Sequence, residues 1–183
     1  MELKSHCRER FEPAVDAIRQ LLEEKKDSDE PLLAAIDGRC GSGKTTLGEY
    51  LKQVFDCNLF RMDDFFLRME QRTPERLREV GGNVDYERFE ETVLRPLLQK
   101  EQVCYQPFSC QEWGLLKAYP IPYKRLNIIE GSYSMHPYFK NPYHVRIFLN
   151  ISPEDQIANI KKRNGLEKAK QFLKDIKSIT PFI

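Results

Sequence analysis

The sequence predicts an α/β layer fold with a mostly parallel sheet. Three observations carry the prediction. Short apolar runs alternate with longer stretches of helical period, the pattern of strands joined by crossing helices. The first run, Leu32-Leu33-Ala34-Ala35-Ile36, is apolar at every position, as a strand covered on both faces must be. A glycine-rich loop follows it at once, with a helix-forming segment beyond.

Before that strand, Phe11, Val15, Ile18 and Leu22 repeat at helical spacing, so residues 7–26 are expected to form an amphipathic helix. Lys25 to Glu30 is charged and reads as loop. After the glycine loop a helix is expected from about Lys44 to Val54, then a second strand over Asn58 to Met62 that ends in Asp63-Asp64. Thr73-Pro74-Glu75 carries an N-cap residue, a proline at the first helical position and an acid in the first turn. Gly81-Gly82-Asn83 marks a turn. Phe89, Val93 and Leu97 mark a helix over about 86–99, which Pro96 should kink or shorten. Val103 to Phe108 reads as a strand, and residues 109–125 have no clear assignment. Arg125 to Glu130 and Val145 to Ile151 read as two further strands. Ser152-Pro153-Glu154-Asp155 then opens a helix that runs to about Asn164, with Gly165 as its C-cap.

The chain has 183 residues, 40% of them apolar and 31% charged, with a formal net charge of +1. That length suits one domain, 1–183, able to bury roughly 70% of the surface its unfolded form exposes. The basic residues are not gathered into one block, so no nucleic-acid or membrane-surface partner is expected. Five cysteines, at positions 7, 40, 57, 104 and 110, show no C-x-x-C spacing and read as free thiols in a reducing compartment. The first residues are polar, and no apolar run approaches the roughly 18 residues of a membrane span. The expectation is a soluble, cytoplasmic protein.

Residues 38–45, Gly38-Arg39-Cys40-Gly41-Ser42-Gly43-Lys44-Thr45, match G-x-x-x-x-G-K-[ST] in full. Each part has a physical task. Glycines let backbone N–H groups turn inward around phosphate oxygens. The helix that starts near Lys44 points its positive end at the same anion. Lys44 adds a mobile charge for the outer phosphates, and the Thr45 hydroxyl is placed for Mg²⁺, with Thr46 following in the same turn. The strand before and the helix after set this apart from an ordinary glycine turn.

Ligands of a parallel sheet bind beyond the carboxyl ends of its strands. Asp63, Asp64 and Glu130 fall there. Phosphoryl transfer calls for a carboxylate that accepts a hydroxyl proton and for oxygens around Mg²⁺. Asp63 is the candidate base and also a candidate metal neighbour. Glu130 is the candidate metal-shell acid, acting directly or through water. Both could instead serve as a turn cap or a solvated corner acid, and Asp64 fits the cap better. Asp85 directly precedes a helix, so it reads equally as an N-cap and as the acceptor for a sugar hydroxyl. Arg163, late in the last helix, could reach a transferring phosphate on closure or complement the helix C-terminus. Lys161 and Lys162 read as solvated. Tyr105 and Trp113 could stack on a flat substrate or simply pack. His6, His136 and His144 show no ligand spacing.

Four segments, in this order, resemble the uridine kinase-like P-loop kinases, a group close to phosphoribulokinase and pantothenate kinase. They are Ile36 to Thr46, Met62-Asp63-Asp64-Phe65-Phe66, Gly81 to Phe89 and Ile128-Ile129-Glu130-Gly131-Ser132-Tyr133. The likeness is greatest to small bacterial members and spans roughly residues 30–170. It implies a three-layer P-loop NTPase fold, a five-stranded parallel sheet between helices, with ATP and Mg²⁺ at the loop. At matching positions it implies that Asp63 is the general base, that Glu130 orders Mg²⁺ and that Asp85 holds ribose hydroxyls. Arg163 falls in a lid region, residues 153–183, where only it and two lysines remain of an arginine-rich set. Two segments depart from the pattern. Residues 104–125 lack a clear match to the side chains that hold uracil in uridine kinases. Phe172 to Ile183 is unlike the acid- and aromatic-bearing close of the bacterial relatives.

The resulting expectation is a kinase that moves the γ-phosphoryl of ATP to a hydroxyl of a nucleoside or other sugar-like acceptor. Lys44, Mg²⁺ and Arg163 would stabilise the transferred charge. Two alternatives stay open. One is a nucleotide-dependent NTPase, although neither an N-K-x-D nor a D-x-x-G element is present. The other is an ATP-binding protein that has lost catalysis. The expected partner is a small-molecule acceptor, and assembly into a homo-oligomer is compatible with the sequence.

Overall fold

The computed structural model describes residues 5–164. Helix α1 (Ser5–Glu24) leads into β1 (Leu32–Gly38), α2 (Lys44–Val54) and β2 (Cys57–Arg61). Short 3₁₀ turns at Met62–Asp64 and Met69–Gln71 precede α3 (Pro74–Arg78), α4 (Tyr86–Phe89) and α5 (Arg95–Leu98). Four short strands follow: β3 (Val103–Tyr105), β4 (Phe108–Ser109), β5 (Gly114–Leu115) and β6 (Tyr119–Ile121). The described chain closes with β7 (Leu126–Glu130), β8 (Val145–Leu149) and α6 (Pro153–Asn164).

The main sheet has the order β2-β7-β1-β8, and every neighbouring pair is parallel. The side chains of β1 alternate between two cores. Leu32, Ala34 and Ile36 join α1 residues Phe11, Val15 and Ile18 and α2 residues Leu47 and Leu51. Leu33 and Ala35 join Phe89, Val93 and Leu97 on the opposite face. The result is three layers, helix on sheet on helix, and it explains why this strand is apolar throughout.

Four strands make this sheet among the described residues, where five were expected. Residues 103–108 account for the difference. Val103–Tyr105 does extend, but it pairs antiparallel with Tyr119–Ile121 instead of joining the main sheet. Residues 109–125 resolve into strands of two small hairpin-like sheets, β3 with β6 and β4 with β5. A two- or three-residue strand offers too little periodicity to be read from sequence.

Local signals fared well where a single mechanism sets them. The Thr73 hydroxyl accepts from Arg76 N at 3.2 Å and caps α3. Ser152 accepts from Asp155 N at 3.0 Å and donates to the Asp155 carboxylate at 2.8 Å, which fixes the start of α6. Pro96 shapes its helix differently from a kink. Between α4 and α5 the chain widens into a π turn at Glu90–Leu94, and Arg95 N bonds to Glu90 O. The wider turn removes the clash that a proline ring makes with the carbonyl four residues earlier. The C-cap expected at Gly165 and the tail, Phe172 to Ile183, lie outside the described residues, as does the whole 165–183 part of the expected lid.

Candidate active site at the phosphate loop

Register brings the site together. Arg61 at the end of β2 and Ile36 near the end of β1 both face Glu130 at the end of β7. The loop after β1, the Met62–Asp64 turn after β2 and Glu130 therefore share the carboxyl edge of the sheet, where ligands of such sheets bind. Gly38 lies opposite Leu149 with a φ of +140°. A Cβ there would stand 2.2 Å from the Leu149 carbonyl oxygen, so only glycine lets the chain leave β1 along this path.

The loop from Gly38 wraps into the first turn of α2. The Leu47 N–H donates to Gly43 O at 2.9 Å, so the N–H groups of Lys44, Thr45 and Thr46 have no intrahelical acceptor. Those groups and the helix dipole would favour an anion at this turn. Lys44 is 8% exposed. Its ammonium donates to the carbonyls of Gly38 at 2.7 Å and Arg39 at 3.0 Å. Burial pulls its pKa down, while Cys40, Asp37, Asp63 and Glu130 push it back up. The Ser42 hydroxyl is buried without a hydrogen-bond partner, a polar atom aimed at nothing inside the loop.

Glu130 is 3% exposed. The Thr45 hydroxyl donates to it at 3.4 Å, and Arg61 Nε approaches it at 3.6 Å. Burial, and then the nearby charge of Asp63, raise its pKa to about 7, against the pull of Thr45, Arg61 and Lys44. Asp63 is exposed. Asp64, by contrast, accepts a 2.7 Å hydrogen bond from the Tyr105 hydroxyl.

The structure separates the other sequence candidates. Tyr105 is 4% exposed, its ring packed among Phe60, Phe65 and Tyr119; it is a core residue here and offers no stacking surface. Asp85 is 2% exposed and caps α4 by accepting from Arg88 N at 3.2 Å, with the Arg88 guanidinium at 3.3 Å. Trp113 stands 55% exposed in the turn between β4 and β5. His136 stacks on Tyr86 and bonds to the Val80 carbonyl, and His144 accepts from Leu33 N. The four cysteines at 40, 57, 104 and 110 are free thiols.

Arg163 reaches the loop, its guanidinium 3.6 Å from the Cys40 sulfur. Two residues that sequence reading passed over accompany it. Gln156 donates to Cys40 O at 3.0 Å and Asn159 donates to Gly41 O at 2.9 Å. Positions 156, 159 and 163 lie on one helical face, a polar spacing that was readable once α6 was known to cross the loop. Asp37 was also passed over. Its carboxylate accepts from Gly38 N at 2.6 Å, Tyr133 N at 3.2 Å and Met135 N at 3.1 Å, tying the loop's root to the segment after β7.

Among the described residues no three carboxylate, thiol or imidazole side chains converge as a metal cage. Thr45 and Glu130 instead offer two oxygen ligands, which suits Mg²⁺ shared with substrate phosphates. A buried carboxyl held near neutral by desolvation gains its charge back when a cation binds beside it. Among the described residues no helix is long and apolar enough to cross a membrane.

No family model matches the chain. A bifunctional shikimate kinase/3-dehydroquinate synthase of Thermotoga maritima is 32% identical over 66 residues, which cover 36% of this chain and 13% of that protein. Among solved structures, a candidate fructose transport system kinase from Silicibacter sp. TM1040 is 26% identical with a TM-score of 0.61. The match covers 73% of this chain and 72% of that one. A candidate uridine kinase from Bacillus stearothermophilus is 21% identical with a TM-score of 0.59, covering 87% and 91%. The chain has the fold of the uridine kinase-like P-loop kinases.

Proposed function

We propose that the protein is an ATP-dependent kinase of the cytoplasm that phosphorylates a hydroxyl of a small nucleoside-like or sugar-like acceptor. One observation carries the reading: Lys44, Asp63 and Glu130 stand within electrostatic reach of one another, with Thr45 bonded to Glu130. A donor phosphate on the loop and an acceptor hydroxyl at Asp63 would then face each other across a short gap.

In this reading the loop N–H groups and Lys44 hold the outer phosphates. Thr45 and Glu130 hold Mg²⁺, which neutralises phosphate charge when bound. Asp63 takes the acceptor's proton as its oxygen bonds to the γ-phosphorus and the bond to the β–γ bridging oxygen breaks, leaving ADP. A positioned base of this kind contributes about 10²–10⁴ in rate. Arg163, beside the loop, adds positive charge to the transferring group.

The test is ADP release across nucleosides, pantothenate, sugars and sugar phosphates. Lys44→Ala should abolish any hit. Asp63→Ala should lower turnover by about 10²-fold or more while ATP still binds. ATP binding with no ADP released for any acceptor would sink the kinase reading, and full activity in Asp63→Ala would remove Asp63 as the base.

A further inference from the structure

One face of α2 lies directly over the ends of β2 and β7. Thr45, Gly48 and Glu49 stand at i, i+3 and i+4 on that face. Glycine is a poor helix former, and at position 48 it has a packing reason. A Cβ there would stand 3.0 Å from Leu59 Cδ1 and 3.5 Å from Glu130 Cγ. The helix backbone thus rests on the Glu130 side chain, with Thr45 and Glu49 on either side of the contact.

Beneath this face, Arg61 is shared between two acids. Its Nη2 donates to Glu49 Oε1, and its Nε stands 3.6 Å from Glu130 Oε1. Among the described residues that Nε is buried without a hydrogen-bond partner. The other Glu130 oxygen, Oε2, accepts from the Thr45 hydroxyl at 3.4 Å. The Arg61 backbone is pinned: it pairs with Glu130 in the sheet, and its N–H donates to the Tyr105 hydroxyl at 3.3 Å. Any choice between the two acids is therefore made by the side chain.

Guanidinium geometry gives that choice a consequence. Nε–H and one Nη–H form a fork that matches a single carboxylate with two parallel hydrogen bonds. Here the fork is split, closed on Glu49 at one tine and open toward Glu130 at the other. Without Glu49 the whole fork could close on Glu130. The Glu130 side chain is 4% exposed against 42% for Glu49, and a charge pair gains more where less water screens it. A bidentate arginine would then occupy the lone pairs that a divalent cation needs.

We propose that Glu49 withholds Arg61 from Glu130 and so keeps Glu130 open to Mg²⁺. Glu49 and Arg61 are positioning residues in this arrangement, and both act through Glu130. The proposal rests on the reading above in which Thr45 and Glu130 hold Mg²⁺, and it adds what sets their affinity for the ion.

The test is a double-mutant cycle read by cation affinity, with no acceptor present. The full chain is saturated with a β,γ-imido analogue of ATP and titrated with Mn²⁺, whose EPR signal reports the free ion. Glu49→Gln should weaken Mn²⁺ binding about threefold to tenfold, the scale of one partly exposed charge pair with a buried partner. Arg61→Met should bind Mn²⁺ as tightly as wild type or tighter. In the Arg61→Met background, Glu49→Gln should change nothing, because no guanidinium remains to be withheld.

Equal weakening by Glu49→Gln in both backgrounds would mean that Glu49 acts by its charge alone, and the proposal is overturned. Weaker Mn²⁺ binding in Arg61→Met would mean that Arg61 supports Glu130 instead of competing for it, which overturns it too. That second result decides the matter by itself if Glu49→Gln does not fold. If the cycle behaves as expected while no acceptor yields ADP, the kinase reading fails and this one stands. If Glu130→Gln binds Mn²⁺ as well as wild type, Glu130 holds no metal and both lose their cation site.

Discussion

Asn159 donates its side-chain amide to the carbonyl of Gly41 across 2.9 Å. Gln156, one turn earlier, does the same for Cys40 at 3.0 Å. A planar peptide points its carbonyl and the following N–H in opposite directions. Holding both carbonyls toward α6 therefore turns the N–H groups of Gly41 and Ser42 away from it, and the Ser42 N–H donates to the Arg39 carbonyl within the loop at 3.2 Å. α6 thus helps to set the backbone of the loop.

From this follows a loss of nucleotide affinity when either amide is removed. Gln156→Ala and Asn159→Ala should each weaken ATP binding about threefold to tenfold, the range of a net hydrogen bond of about 1 kcal/mol. Isothermal titration would read it. Unchanged affinity in the double variant would mean that the loop holds its shape without α6.

Glu130 gives a pH dependence with a definite sign. Its pKa is raised to about 7 from an ordinary 4.5, so the folded protein holds a proton that the unfolded chain releases. The stability this contributes is present below about pH 4.5 and is lost as pH rises through about 7, on the order of 3 kcal/mol in all. Glu130→Gln lacks the effect. In the absence of Mg²⁺ and nucleotide, thermal unfolding should show wild type losing ground to Glu130→Gln between pH 5 and pH 8. Parallel melting curves across that range would contradict it.

Asp37 binds three backbone N–H groups at once. Asp37→Ala strands all three, with buried neighbours on both sides, and should destabilise the fold by about 2–4 kcal/mol. Asp37→Asn keeps one acceptor and should cost about half of that. Urea denaturation would distinguish them, and equal midpoints for the two variants would show that the three bonds are dispensable.

Asp85 and Arg88 form a nearly dry pair, with side chains 2% and 13% exposed. Arg88→Met should cost about 3–5 kcal/mol because it leaves a buried carboxylate without its counter-charge. Asp85→Asn in the same chain should recover part of that loss, since the amide still caps α4. A double variant no better than Arg88→Met would argue that Arg88 matters through Gln106 and Asp64 instead.

Several features were legible in the sequence because a local rule fixes them. The phosphate loop is one: glycine at 38 and 43 answers a backbone need, and Lys44 and Thr45 sit at fixed offsets on the helix that follows. The caps at Thr73 and Ser152 are another, since a hydroxyl and the N–H three residues on are neighbours in any helix start. Asp63 and Glu130 could be named because Glu130 closes β7 and Asp63 lies in the turn just beyond β2, and parallel strands end on one edge.

Other features needed the fold. Asp37 reads as an ordinary strand acid until the segment after β7 curls back and presents the N–H groups of Tyr133 and Met135. Tyr105 looked available because a tyrosine in a short polar-flanked strand has no sequence mark of burial; only the packing of Phe60, Phe65 and Tyr119 shows where it lies. Residues 103–108 could not be told from a fifth sheet strand, since pairing partners are chosen by contacts far along the chain.

The sequence by itself determined the layered α/β class, the glycine loop between β1 and α2 and the acids near the strand ends, because each depends on residues within a turn or a strand of one another. The tertiary structure decided what surrounds the loop: α6 over the carbonyls of Cys40 and Gly41, and Asp37 beneath its root. Those relationships join residues separated by tens to more than a hundred positions, and such distances close only when two hydrophobic cores assemble on the two faces of one sheet.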